Sequence, residues 1–364
     1  MIGQARSAAA ARSTHGNKDG ALETLRALAL LSLVGFHASV EEPPDFITRG
    51  AHHYDTYNYL AASLSFIRMP LFTVISGFVY AMRPVRAGAE LGFLQGKGRR
   101  LLLPLISVVT LTLLVAQVVG SQSGLSLPLS EWYRAYLYPY THFWFLQAML
   151  WVFVTVVVLE RLALLSQKGH WIWAVGTSCA LKYALPGWAF FSFDGFMYLL
   201  PYFLLGIGLH RFSDELRTPT HGHLAIAIAL CGLGAQQLAL NGVLNLDVSD
   251  RGSPLATATG LAATFALVTY RIRIPWLVAL GGYSYAAYLF HHFGLSLGKQ
   301  AYAMLGLTSL HGLLLTKWIC GVLAGVGAEH ALRPLPGINT LLLGMSTRRP
   351  PPVRAKTAAT PTTS

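Results

Sequence analysis

Long apolar stretches alternate with short polar ones along almost the whole chain. Membrane-length runs fall near 21–40, 64–82, 101–120, 143–159, 170–187, 193–210, 222–240, 253–270, 274–297 and 309–332. A membrane-crossing helix needs about 20 mostly apolar residues, a crossing strand only about ten. These runs are too long for barrel strands. They predict helices, whose backbone hydrogen bonds are satisfied inside each segment. Breakers separate the runs at Pro43-Pro44, residues 121–128, Pro186-Gly187 and Gly252 to Pro254. The expected fold is an all-α integral membrane protein, a polytopic bundle of about ten transmembrane helices with no internal repeat. The expected organisation is a polar basic tail over 1–20, one membrane unit over 21–333, and a second tail over 334–364. That second tail turns Thr/Ala-rich and disordered from about Thr347.

Composition agrees. Of 364 residues, 54% are hydrophobic and 12% charged, against about 25% charged in soluble domains. The formal net charge is +12. In a soluble protein that would suggest nucleic acid as a partner. Here the basic residues sit in short loops, so they report topology and nucleic-acid binding is set aside. With the N-terminus in the cytoplasm, 19 of the 27 lysines and arginines fall on the cytoplasmic side and five on the outer side. The other three, Arg26, Lys182 and Lys317, lie inside spans. This asymmetry predicts both termini cytoplasmic and an even number of spans in the cytoplasmic (plasma or inner) membrane. Cys179, Cys231 and Cys320 all fall in apolar segments and imply neither a disulfide framework nor a zinc site. Residues 1–39 also have the outline of a signal peptide, but the polar residues inside the apolar run argue that it is retained.

Ionisable groups inside spans are costly and usually face the bundle interior. The first span carries Arg26 and His37, eleven positions apart. At about 100° per residue they lie within about 20° of one another on one helix face, about 16 Å apart along the axis. Glu23, one turn before Arg26, can pair with it. Glu41, one turn beyond His37, can orient its ring. Arg26 is either an interfacial anchor or a site residue, and His37 either a core histidine or a general base. Arg68 marks the outer end of the second span, where Ser76 can bond to a neighbouring helix and Gly77 admits one closely. Lys97, Arg99 and Arg100 precede the third span, either as a topology anchor or as a phosphate site. Ser284, Tyr288 and His291 share one face of the ninth span. Glu329 can pair with a basic loop residue. Lys182 and Lys317 have no specific role in this reading.

Taken together these segments resemble the acyltransferase 3 family of membrane acyltransferases. The likeness rests on Glu23 and Arg26 followed by ten residues and His37, and on Pro70-Leu71-Phe72 with Ser76-Gly77-Phe78. It continues through Lys97, Arg99 and Arg100 ahead of Pro104, Phe143-Trp144-Phe145-Leu146, and Ser284-Tyr285 with Tyr288-Leu289 and His291. It spans about residues 21–333. The resemblance implies transfer of an acyl group, usually acetyl, from cytoplasmic acyl-CoA to a hydroxyl of an extracytoplasmic or lipid-linked carbohydrate. His37 would be the acyl-transfer residue, Arg26 and Glu41 would assist it, and Lys97, Arg99 and Arg100 would hold the CoA nucleotide. No metal is implied. The sequence departs from the family where Lys97 replaces a spaced arginine, and no extracytoplasmic hydrolase-like domain follows. Two other readings use the same buried charges. One is a secondary transporter for a polar solute or lipid-linked sugar. The other is a membrane-bound O-acyltransferase of the unrelated fold, which the Arg26–His37 spacing does not support.

Overall fold

The computed structural model describes residues 19–40, 56–119 and 126–346. Among these residues there are ten helices of at least 17 residues and no strand. They are α1 (Gly20–Val40), α2 (Ser65–Met82), α3 (Glu90–Val119), α4 (Trp144–Arg161) and α5 (Lys168–Ala184). The rest are α6 (Phe193–Arg211), α7 (Pro219–Leu240), α8 (Pro254–Tyr270), α9 (Ser284–Met304) and α10 (Leu310–Leu332). Seven helices are long and apolar enough to cross a membrane, or eight if α8 and the following Pro275–Gly281 count as one bent span. The chain is thus an all-α, polytopic membrane protein. Of the predicted tails, residues 1–18 and 347–364 lie outside the described residues, as does Glu41; the described start of the second tail carries a short helix, Ile338–Leu343.

Local chemistry starts several helices where the apolar pattern does. Thr218, Ser253 and Ser309 cap α7, α8 and α10 by accepting hydrogen bonds from backbone amides, and Pro219 and Pro254 occupy the first turn. Helices α2 and α6 form the centre. Gly77 is essential there, because a Cβ at that position would lie 2.0 Å from the Phe203 carbonyl oxygen. The expectation that Gly77 admits a close neighbour is met. Ser76, by contrast, donates to Phe72 of its own helix at 2.8 Å, not across helices. On the outer faces of α7 and α10, Leu224, Leu230, Leu315 and Leu323 are exposed, as lipid contact requires.

Polar contacts sort the connecting segments into two ends. At one end Asp19 pairs with Arg271, Glu90 with Arg161 at 3.9 Å, Glu160 with Arg211 at 2.5 Å, and Lys168 with Glu215. These are the segments that the charge count assigns to one side. At the other end Tyr57 bonds His311 at 2.6 Å, Asn241 donates to Tyr59 at 3.1 Å, and Lys182 donates to Gly252 at 2.5 Å.

Two predicted boundaries are corrected. The third span begins at Glu90, so Lys97, Arg99 and Arg100 ride inside a 30-residue helix. No breaker separates Glu90 from Leu101, and the helix continues through the polar segment. The ninth segment does not run unbroken from 274 to 297. It divides at Gly281-Gly282-Tyr283 into Pro275–Gly281 and α9, and Pro275–Gly281 is bent 117° from α8. A Cβ at Gly281 would sit 2.1 Å from the Glu23 carbonyl oxygen, so the break is where this backbone lies against α1.

Candidate active site

Four imidazoles converge in the bundle interior. His37 comes from α1, His142 from the turn before α4, and His291 and His292 from α9. Ring centroids lie 5.1 Å apart for His37 and His291, 4.8 Å for His37 and His292, and 4.5 Å for each pair among His142, His291 and His292. His142, His291 and His292 are buried, and His37 is half-buried. His291 Nδ1 faces the carbonyl oxygens of Tyr288 at 2.8 Å and Ala287 at 3.2 Å. Carbonyls only accept, so Nδ1 carries the proton and Nε2 keeps a lone pair. That Nε2 and the Nε2 of His142 are buried without a hydrogen-bond partner.

His142 is held from several directions. Thr141 adopts a left-handed conformation, φ 47°, which turns the chain inward ahead of His142. The Tyr288 hydroxyl donates to the His142 carbonyl. Gln147, fully buried on α4, donates to the Tyr136 carbonyl at 2.8 Å and accepts from Ser192 at 2.5 Å. These bonds fix the segment that carries His142 against α4 and α9.

Two cavities with no lining residue in common approach the cluster from opposite ends. One, about 580 Å³, is lined by Arg26, Arg83, Lys97, Arg100, Ser76, Ser284, Tyr285 and Tyr288. The other, about 550 Å³, is lined by Met69, Trp144, Lys182, Asp194, Tyr198, Asp250 and Arg251. Consecutive residues Trp144 and Phe145 face different cavities. The first cavity ends at Tyr288, one turn before His291, with its ring 5.2 Å from His142. On the other side the Phe36 ring lies 5.0 Å from His37 and 5.1 Å from the Arg251 guanidinium.

The predicted residues fall into place unevenly. Glu23 is buried and pairs with Arg26 at 2.6 Å, as expected. Lys97 lies over Phe153 at 4.1 Å, and Arg100 over Tyr285 at 4.7 Å. Arg99 is exposed and does not line the cavity, so it separates from the other two. Trp144 belongs to the opposite cavity. Glu329 has no ion pair among the described residues and lines neither cavity. The expectation of a partner for it is not met. Lys182 ties Gly252 of the 241–253 loop to Thr257 of α8, and Lys317 is buried on α10.

Sequence reasoning missed His142, His292, Arg83, Tyr198 and Arg251 as site residues. The His291-His292 doublet and a histidine directly ahead of Phe143-Trp144 were the available signals. It also expected no metal. Yet one nitrogen each from His37, His291 and His292 lie within 4.8 Å of one another, the one place among the described residues where three such ligands meet.

A helical membrane bundle with an interior histidine cluster beside a basic cavity fits a class: membrane enzymes that carry out polar chemistry inside the bilayer. The family model described as an acyltransferase domain, acyltransferase 3, matches residues 19–328, and the chain belongs to that family. It is therefore a membrane acyltransferase, which decides against a transporter. No curated protein and no solved structure matches the chain.

Proposed function

We propose that this acyltransferase moves an acyl group, most often acetyl, from cytoplasmic acyl-CoA to a hydroxyl of a carbohydrate presented on the other side of the membrane. The carbohydrate is a cell-surface polysaccharide or a lipid-linked sugar. Support comes from one observation above all: a histidine cluster flanked by two separate cavities, each with several charged side chains in its lining. In this reading Lys97 and Arg100, with Arg26 and Arg83, hold the phosphates of CoA, as guanidinium and ammonium groups suit. That end faces the cytoplasm, in keeping with the 19 to 5 distribution of basic residues. The membrane is the cytoplasmic one, with both termini inside.

His37 is the general base. Its lone pair takes the acceptor's hydroxyl proton as the oxygen bonds to the thioester carbon. The C–S bond then breaks, and the thiolate recovers the proton from the imidazolium. His291, with its bare Nε2 in the same cluster, steadies the charged form of His37. A transient acyl group on His37 itself is a variant of the same step.

The test is acyl transfer per folded molecule for His37→Ala, beside Ser32→Ala as control. Losing a base costs roughly 10²–10⁴-fold in rate, whereas the Ser32 change should be mild. Retention by His37→Ala of more than roughly a tenth of the activity, well above what loss of a base leaves, would mean that another group performs the transfer.

A further inference from the structure

Two guanidiniums share one aromatic ring beside the histidine cluster, and neither has an acid. Arg68 is 2% exposed and lies 3.8 Å over Phe36. Arg251, on the loop between α7 and α8, lies 5.1 Å from the same ring. Among the described residues no carboxylate forms an ion pair with either. Arg68 Nη1 is buried with no hydrogen-bond partner, and so is the Tyr198 hydroxyl, whose residue lines the cavity together with Arg251.

Arg68 stands directly behind the cavity, next in the chain to its lining residue Met69, and the other charged groups of the lining each have a hydrogen-bond partner of their own. Asp194 accepts from the Trp188 amide, and Asp250 from the Gly252 amide at 2.7 Å. Lys182 donates to Gly252 and Thr257. The two arginines are left over. A guanidinium buried inside a membrane bundle without a counter-charge is expensive, and such groups mark substrate sites. Its planar fork fits a carboxylate or a phosphate in two-point contact. The ring that carries both arginines also touches His37, so an anion held here would lie next to the acyl-transfer position.

We infer that this cavity recognises an anionic acceptor: a sugar whose carboxylate or phosphate is gripped by Arg68 and Arg251 while a hydroxyl reaches His37. This rests on the proposed function and narrows its acceptor to acidic carbohydrate. Tyr198 and Trp144 offer the hydroxyl and the flat aromatic surface that a sugar ring takes.

The experiment uses the full chain in nanodiscs of zwitterionic lipid. The probes are methyl glucuronide, glucose 6-phosphate, the neutral methyl glucoside, and a short-chain phosphatidylglycerol, with affinities read by thermophoresis. An anionic sugar should bind at least roughly tenfold tighter than the neutral one, as an added charge-assisted contact allows. Arg251→Gln and Arg68→Gln should each erase that preference. Arg251 sits in a loop, so its variant tests the idea even if Arg68→Gln folds poorly. Acetyl-CoA affinity, measured on the same samples, should stay unchanged. Equal binding of the neutral and anionic sugars would overturn the inference, as would a preference that survives Arg251→Gln. Selective binding of phosphatidylglycerol over both anionic sugars would also overturn it, since the site would then hold a lipid headgroup. Failure of acetyl-CoA to bind at all would instead refute the donor assignment, independently of the sugar arms.

Discussion

Pro104 sits inside α3 and has no N–H, so the Arg100 carbonyl, four residues earlier, loses its helical donor. The Tyr285 hydroxyl of α9 donates to that carbonyl instead. Tyr285→Phe removes the donor and keeps the ring on which Arg100 rests at 4.7 Å. An acceptor left unsatisfied costs about 1–3 kcal/mol when buried. Arg100 is exposed and water can partly substitute, so the lower part of that range applies, about 1–2 kcal/mol. The assay is thermal unfolding in detergent, where a loss of that size lowers the midpoint by a few degrees. The decisive comparison is the same change in a Pro104→Ala background. Alanine restores the N–H and the Arg100 carbonyl regains a donor, so Tyr285→Phe should then cost less than about 0.5 kcal/mol, the remainder appearing as coupling between the two positions. Equal losses in both backgrounds would show that the hydroxyl does not serve the carbonyl that proline leaves open.

Other outcomes follow from the same geometry. Lys97→Ala with Arg100→Ala should weaken acyl-CoA binding more than roughly tenfold, as loss of two charge-assisted contacts implies. Arg99→Ala, outside the cavity, should leave that binding within about twofold, and equal effects would dissolve the distinction. If His37 acts as a base without a metal, chelation should leave activity intact and added zinc should inhibit. Activity lost to chelator and restored by zinc would refute the base. Gly77→Ala should destabilise by about 2–3 kcal/mol, because overpacked cores cost on that scale and the new Cβ meets the Phe203 carbonyl at 2.0 Å; an unchanged melting temperature would contradict that packing. A reporter fused at Thr347 should be active only as a cytoplasmic fusion, and activity restricted to the opposite side would reverse the orientation.

The bundle was legible in sequence because bilayer physics writes it into apolar run length. All ten long helices overlap the predicted segments, and the loop contacts pair segments assigned to the same side. The break at Gly281-Gly282 was harder to see. Two glycines in an apolar run look like helix packing until the Glu23 backbone is known to lie against them. On the site, helical spacing identified what shares a face: Arg26 with His37, and Ser284 with Tyr288 and His291. It could not identify what converges from different helices. His142 reaches the cluster through a left-handed turn at Thr141, a conformation with no mark in a residue that is not glycine. Arg251 counted only as a loop charge, because its place over Phe36 depends on how the loop folds back.

The close-packed imidazoles have a consequence for ion leakage. A hydrated ion coming from either end meets a wall of ring faces and aromatic side chains, with Tyr288 and Phe145 below and Phe36 above. To pass it would have to shed its water against groups that replace little of that solvation, a penalty of many kcal/mol. The direct route between the two cavities is therefore closed to a hydrated ion. An enzyme built this way can host polar chemistry inside the bilayer without opening a pore for hydrated ions.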